Sequence, residues 1–373
     1  TNTIGLSRYW TRRLTILSPP STRKPMARGP QVVILALLGL VMSGLPLLGF
    51  AVPAAAEGET DNIGRIMFYR SGRLASIRPD KSNLTWHSDE LDENRLVLPF
   101  AMRLSPDGGR VAYGEYELKK ERSEPSSFPY PAAPLYVKKL DEAGLGTDMG
   151  ISAHVWAWSP DGSKLVVGLI QNKESELPKQ WSASHWIVDV KTKERTGTNI
   201  PAGHLISDWS PDGIWFLTTT LCPGDQADSP TKMQMNLVKT DGSDVRPVGD
   251  PAPADVLGLA RISPDGRRVL FVGPDTKDRT MHVFVMDIQG AKPRRVSPEL
   301  NVEILGCCWS PDGKRVAYAW RQIHAEPQKD AFEKKQTDSF LMTVGVDGEN
   351  AAALFSETAD SQSVVVLSGL DWR

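Results

Sequence analysis

The tetrapeptide Ser-Pro-Asp-Gly occurs five times, at Ser105, Ser159, Ser210, Ser263 and Ser310, with spacings of 54, 51, 53 and 47 residues. A near-constant period of this length marks a repeat architecture, in which each unit buries its apolar surface against the next. An apolar stretch precedes each tetrapeptide and a strand-like run follows it, as in Arg110-Val111-Ala112-Tyr113, Lys164-Leu165-Val166-Val167 and Arg315-Val316-Ala317-Tyr318. A second β-rich run comes after a variable connection, for example Val283-Phe284-Val285-Met286-Asp287, and several end in turn pairs such as Asp241-Gly242 and Asp347-Gly348. Such runs, bounded by Gly, Pro and Asp, read as strands joined by hairpins.

The tetrapeptide suits a tight turn. Pro fixes φ at a position that needs no N–H, and Asp accepts from a nearby backbone N–H. Gly takes the left-handed conformation that leads into the next strand. A set of catalytic or metal-binding aspartates is the rival reading, and the turn context disfavours it.

Five tetrapeptides imply six units. The end of the chain, Val364 to Trp372, matches the stretch before the tetrapeptide and stops at the equivalent of Trp309. Ile66 to Tyr69 and Gly72 to Ile77 resemble the second and third strands of a unit. The expected fold is all-β: a six-bladed β-propeller over 57–373, with the last blade completed by N- and C-terminal strands. Closing a ring in this way protects edges that an open stack exposes.

Residues 1–56 are a separate leader, expected to be a signal peptide. They carry six basic residues and no acidic one, and Val32 to Phe50 is almost wholly apolar. Ala54 and Ala56 form the small-residue pattern of a signal cleaved after Ala56, and an uncleaved membrane anchor is the alternative. Met26, just before the apolar run, is the expected true start. Without the leader, 37 of the 43 basic residues remain against 45 acidic ones, a formal net charge of −8. That balance, with no basic run, excludes nucleic acid as an expected partner. Cys222, Cys307 and Cys308 form neither a zinc spacing nor a disulfide framework, and the adjacent pair reads as buried small hydrophobes.

The sequence Trp309 to Tyr318, together with His282 to Asp287 and Arg294-Arg295-Val296, resembles the WD-like repeats of the TolB propeller over about residues 60 to 373. The resemblance implies a six-bladed propeller and an extracytoplasmic location, periplasmic or secreted. The N-terminal α/β domain of TolB has no counterpart here, so a role in the Tol–Pal system does not carry over. Related repeats occur in prolyl-oligopeptidase-type enzymes, but no hydrolase domain and no Gly-x-Ser-x-Gly accompany them in this sequence.

The longest connections join second and third strands, at Glu117–Pro134, Gln171–Ser184, Cys222–Thr231 and Arg321–Asp338, and alternation of strand direction puts them on one face. Phe128, Tyr130, Trp181, Arg321 and His324 fall there and are the expected partner-binding residues, being of the types that anchor interfaces. Trp158, Trp209, Trp309 and Trp372 recur at one repeat position and read as packing at blade junctions rather than a sugar platform. His154 and His204 differ by one residue in their offset, which turns them to opposite strand faces and argues against a shared metal. No catalytic residue, cofactor or metal site is assigned. The expected function is a monomeric scaffold that binds a protein partner through the long-connection face. A hydrolase or lyase acting on polysaccharide at the channel mouth is the alternative.

Overall fold

The computed structural model describes residues 64–70, 73–88, 95–97, 102–117, 132–171, 182–222, 232–253, 260–275, 280–298, 302–325, 335–359 and 367–373. These residues form 25 strands and no helix, so none is long and apolar enough to cross a membrane. They make a six-bladed β-propeller.

Blade 1 contains β1 (Ile66–Arg70), β2 (Arg73–Ile77) and β3 (Thr85–Trp86). Blade 2 contains β4 (Arg95–Val97), β5 (Arg103–Leu104), β6 (Arg110–Glu117), β7 (Ala133–Lys139) and β8 (Thr147–Ala153). Blade 3 follows with β9 (Val155–Trp158), β10 (Lys164–Gln171), β11 (Ser182–Asp189) and β12 (Arg195–Gly197). In blade 4 the strands are β13 (His204–Trp209), β14 (Trp215–Cys222), β15 (Lys232–Lys239) and β16 (Val245–Pro253). Those of blade 5 are β17 (Arg261–Ile262), β18 (Arg268–Pro274), β19 (Met281–Asp287) and β20 (Arg294–Arg295). Blade 6 is built from β21 (Glu303–Trp309), β22 (Arg315–Ala325), β23 (Lys335–Gly345) and β24 (Ala352–Ala359). The last strand, β25 (Leu367–Trp372), joins blade 1, whose order is β25-β1-β2-β3. Its register sets Trp372 opposite Ile66 and Asp371 opposite Met67.

Burial follows position within the blade. In the second strands, Val111–Tyr113 and Leu165–Val167 are buried without alternation, because neighbouring blades cover both faces. An outer strand has one covered face and alternates: in β8, Met149, Ile151 and Ala153 are buried while Asp148, Gly150 and Ser152 are exposed. Six apolar clusters result, one at each junction of successive blades. The cluster between blades 6 and 1 holds Ile66, Phe68, Leu305, Leu341 and Trp372.

The five tetrapeptides are turns throughout. In each, the Gly N–H donates to the Ser carbonyl at 2.8–2.9 Å, and the Ser hydroxyl donates to the Asp carboxylate. The same carboxylate accepts the N–H two residues on, at 2.9–3.1 Å. Gly313 sits at φ 67° and its four equivalents lie between 67° and 75°. Every aspartate of the motif is therefore committed to its own turn, and Asp161 is held at about 2 by the Ser159 hydroxyl and the Ser163 N–H.

One expectation is corrected. The connection read as Arg321–Asp338 is shorter, because β22 and β23 stay paired from Arg315↔Gly345 out to Ala325↔Lys335. Arg321 and His324 therefore lie on a strand and not in a loop. Unpaired backbone groups are satisfied by continuing the ladder, and that outweighs the mixed polarity of the segment.

Candidate functional site: the axial ring and the long-connection face

The inner edge of each blade is the strand that runs into a turn serine, or in blade 1 into Arg373, and the residue two before that position can be compared from blade to blade. In blades 1 to 6 this residue is Asp371, Arg103, Ala157, Asp208, Arg261 and Cys308, followed by Trp372, Leu104, Trp158, Trp209, Ile262 and Trp309. The series reads Asp-Trp, Arg-Leu, Ala-Trp and then Asp-Trp, Arg-Ile, Cys-Trp. The propeller thus carries two three-bladed halves.

Contacts repeat with the same half-turn symmetry. Asp371 Oδ2 accepts from Leu104 N at 2.8 Å, and Asp208 Oδ2 accepts from Ile262 N at 2.8 Å, each from the next blade. Trp158 Nε1 donates to Arg103 O at 3.0 Å, and Trp309 Nε1 to Arg261 O at 3.1 Å, each in the preceding blade. Arg110 lies 5.1 Å over Trp158 and donates to Gly162 O, while Arg268 lies 5.1 Å over Trp309 and donates to Gly313 O. Blades are joined around the axis by charge-assisted and indole hydrogen bonds as well as by apolar packing.

Arg103, Arg261 and Asp371 are buried and Asp208 is partly so, and the electrostatics of the ring follow from that. Burial pushes Asp208 up to about 6 even though Arg103 pulls the other way. Burial lowers Arg103, opposed by Asp208 and Asp371. Cys307 is raised to about 12 by burial and Cys308 well above its ordinary value, so both are inert thiols in a packed wall.

His154 and His204 each meet a polar group of the neighbouring strand. His154, the single residue between β8 and β9, accepts Ile170 N on Nδ1 at 3.1 Å. His204 Nδ1 meets Thr218 Oγ1 at 2.8 Å. His185 of β11, a residue that sequence reasoning missed, is drawn down to about 4 by burial and then by the neighbouring charge of His204. No group of three His, Cys, Asp or Glu residues that could hold a metal ion occurs among the described residues.

Of the residues expected to bind a partner, Phe128, Tyr130 and Trp181 lie outside the described residues, as does Ala56. Arg321 pairs with Glu303 at 2.7 Å, next to the Trp320–Phe340 stack at 4.2 Å. His324 stands opposite Gln336 in the ladder. On the outer strand of blade 1, Trp86 is 38% exposed, with the Arg73 guanidinium 4.3 Å and that of Arg70 5.5 Å from its ring. Arg70 also covers Phe355 at 4.8 Å and pairs with Glu357 at 2.7 Å, tying blade 1 to blade 6.

No family model matches the chain, and no curated protein matches it. Among solved structures, a putative TolB from Agrobacterium tumefaciens is similar at 16% identity and a TM-score of 0.49, over 80% of this chain and 90% of that one. An oligogalacturonate lyase in complex with manganese matches at 15% identity and a TM-score of 0.43, over 75% and 69%. The β-propeller domain of the Trilobed protease from Pyrococcus furiosus matches at 14% identity and a TM-score of 0.41, over 76% and 86%. At these identities the likeness is one of fold alone. The six-bladed propeller implied by the repeats is the architecture observed.

Proposed function

We propose that the protein is an extracytoplasmic propeller scaffold, acting as a monomer, that holds a protein partner on its long-connection face. The observation that carries this reading is the β22–β23 hairpin. Its strands, at 11 residues each, are the longest among the described residues. The equivalent strand of blade 3 has 8 among the described residues, and three further residues at roughly 3.3 Å each make about 10 Å of additional described ribbon. A rigid paired ribbon offers a partner a preformed surface, with less entropy to lose than a single-stranded loop. Trp86 between two arginines adds an aromatic–arginine combination of the kind that anchors interfaces. The opposite face offers short turns whose aspartates are internally satisfied.

A photo-crosslinking residue at Gln322, on the hairpin, compared with one at Ile214, on the short-turn face, tests the assignment of faces. A discrete adduct from position 322 and none from 214 is expected in envelope extracts. Adducts from 214 alone, or equal labelling from both, would refute it. The same reading takes residues 1–56 as a leader removed after Ala56, so mature material should begin at Glu57; an N-terminus at Met26 or Ala27 would instead mean an anchor. It also takes β25 as the strand that closes the ring, supported by its pairing with β1 and its packing beside β5 and β21.

A further inference from the structure

The half-turn symmetry makes the six junctions comparable in pairs, and one pair is unequal. Asp371 and Asp208 bridge blades 1 to 2 and 4 to 5, while Trp158 and Trp309 bridge 2 to 3 and 5 to 6. At the junctions of blades 3 and 4 and of blades 6 and 1, Ala157 and Cys308 stand where the other blades carry a charge, so packing must hold more of the joint. Between blades 6 and 1 the packing is extensive. Its buried cluster has twelve members, among them Phe68, Ala319 and Leu341, and Arg70 pairs with Glu357 across the same junction. Between blades 3 and 4 the buried cluster among the described residues is Ala157, Val166, Ile206 and Phe216.

The strand registers locate the difference. Ala319 stands opposite Leu341 in blade 6, and the same repeat positions of blade 3 hold Gly168 and His185, also opposite one another. Phe68 of blade 1 corresponds to Thr218 of blade 4, each two residues past the partner of Trp372 or Trp209. Phenylalanine, leucine and alanine thus give way to threonine, histidine and glycine. The His185 ring leans into the space of the missing side chain, its Cδ2 3.2 Å from where a Cβ on Gly168 would lie. Its Nε2 is buried with no hydrogen-bond partner among the described residues, and Thr218 Oγ1 keeps polar company, His204 Nδ1 at 2.8 Å and Asn236 O at 3.4 Å. Trp209 is half-buried, whereas its mate Trp372 is fully buried. Buried apolar area and satisfied polar groups both stabilise a junction, and here both are reduced. Two ties remain. Arg103 of blade 2 donates to Trp156 O and Ser207 O, strapping blades 3 and 4 from outside their junction. Asn199 Nδ2 donates to Asp241 O at 3.0 Å, at the Asp-Gly turn of blade 4 on the short-turn face. The polar positions His204 and Thr220 lie at the other end, toward the long connections.

We propose that the ring opens at the junction of blades 3 and 4, parting at its long-connection end and hinging on the Asn199 tie. This opening needs no partner and is independent of the docking face. Thiol trapping on the full chain tests it, with Cys222→Ala removing the cysteine that is not buried. Cys307 and Cys308, buried in the junctions of blades 5 and 6 and of blades 6 and 1, then serve as internal references. Thr218→Cys places a thiol that is equally buried in the closed ring at the junction of blades 3 and 4. An uncharged maleimide under native conditions should label position 218 about tenfold or more faster than Cys308, because local opening sets the rate. Ile206→Cys, opposite Thr218 in the ladder, reads the same junction should Thr218→Cys fail to fold. His185→Leu, which restores the residue of the paired junction, should slow labelling at 218 several-fold and raise the melting temperature. Labelling at 218 no faster than at Cys308 would overturn the proposal, as would a rate at 218 that His185→Leu leaves unchanged.

Discussion

Trp309 donates its indole N–H to the carbonyl of Arg261 at 3.1 Å, across the junction of blades 5 and 6. Trp309 is 4% exposed, so the bond has no solvent to replace it. Trp309→Phe keeps an aromatic ring but removes the hydrogen bond between blades, a loss of about 0.5–1.5 kcal/mol. Trp209 occupies the same repeat position but donates to Gly213 O in its own turn, at 3.2 Å, and is only half-buried. Urea denaturation should therefore find Trp309→Phe clearly more destabilising than Trp209→Phe. Equal losses would mean that the inter-blade bond contributes nothing beyond ring packing.

The turns can be probed at two adjacent glycines. Gly108 sits at φ 69°, and a Cβ there would meet Arg373 Cβ at 3.3 Å; Gly109 has no positive φ, and its Cβ would meet only Asp107 at 3.6 Å. A left-handed backbone costs a non-glycine residue about 1–2 kcal/mol. Gly108→Ala should lose that much stability and Gly109→Ala almost none, as measured by denaturant midpoint at constant m-value. A comparable loss at Gly109 would contradict the turn assignment.

The repeat count and the strands were legible because Ser-Pro-Asp-Gly combines three local preferences that no tertiary context has to supply. The serine hydroxyl, the aspartate and the left-handed glycine all act within five residues of one another. The axial ring was written just as openly, in the dipeptides Asp371-Trp372, Arg103-Leu104, Ala157-Trp158, Asp208-Trp209, Arg261-Ile262 and Cys308-Trp309. Its meaning was not local: Asp208 and Arg103 acquire a role only when four blades bring residues far apart in sequence to one axis. The tryptophans at the repeat position read as junction packing, but the indole bonds of Trp158 and Trp309 across blades, and the roles of the four charged residues Asp371, Arg103, Asp208 and Arg261, need the assembled ring. Arg321 was misplaced into a loop for a related reason, since cross-strand pairing with Ser339 is invisible in a segment of mixed polarity.

A third prediction concerns the strand that joins blade 1 from the end of the chain. Arg65 N donates to Arg373 O at 2.5 Å, and a Cβ on Gly64 would come within 2.1 Å of that same oxygen. Gly64 lies at φ 66° and Gly266 at φ 72°, so alanine is strained at both, yet Gly266 has nothing within 4 Å of the added Cβ. The difference between Gly64→Ala and Gly266→Ala isolates the clash with β25 from the backbone strain. Gly64→Ala should be the more destabilising by 1 kcal/mol or more, on the order of an overpacked contact. Hydrogen exchange should also show faster exchange at Arg65 and Arg373. Identical melting of the two variants would mean that β25 does not hold blade 1 in solution.

The pH dependence of stability should contain two opposed contributions. Asp208 titrates at about 6 in the folded chain against an ordinary 3.8, because burial penalises its charge more than Arg103 relieves it. Between about 4 and 6 the native state holds a proton that the unfolded chain has released. This group therefore makes stability fall as pH rises through that window. His185 is drawn from 6.5 down to about 4 by burial and by His204. Here the unfolded chain binds the proton and the native state does not, so its contribution rises with pH from about 4 to 6.5. Each shift of about two units corresponds to roughly 3 kcal/mol, so the wild-type profile should be shallow through cancellation. Asp208→Asn should leave a profile that climbs from pH 4 to 6.5, and His185→Asn one that descends from pH 4 to 6. Parallel profiles for the two variants, measured by chemical denaturation at each pH, would show that neither buried group titrates as its surroundings dictate.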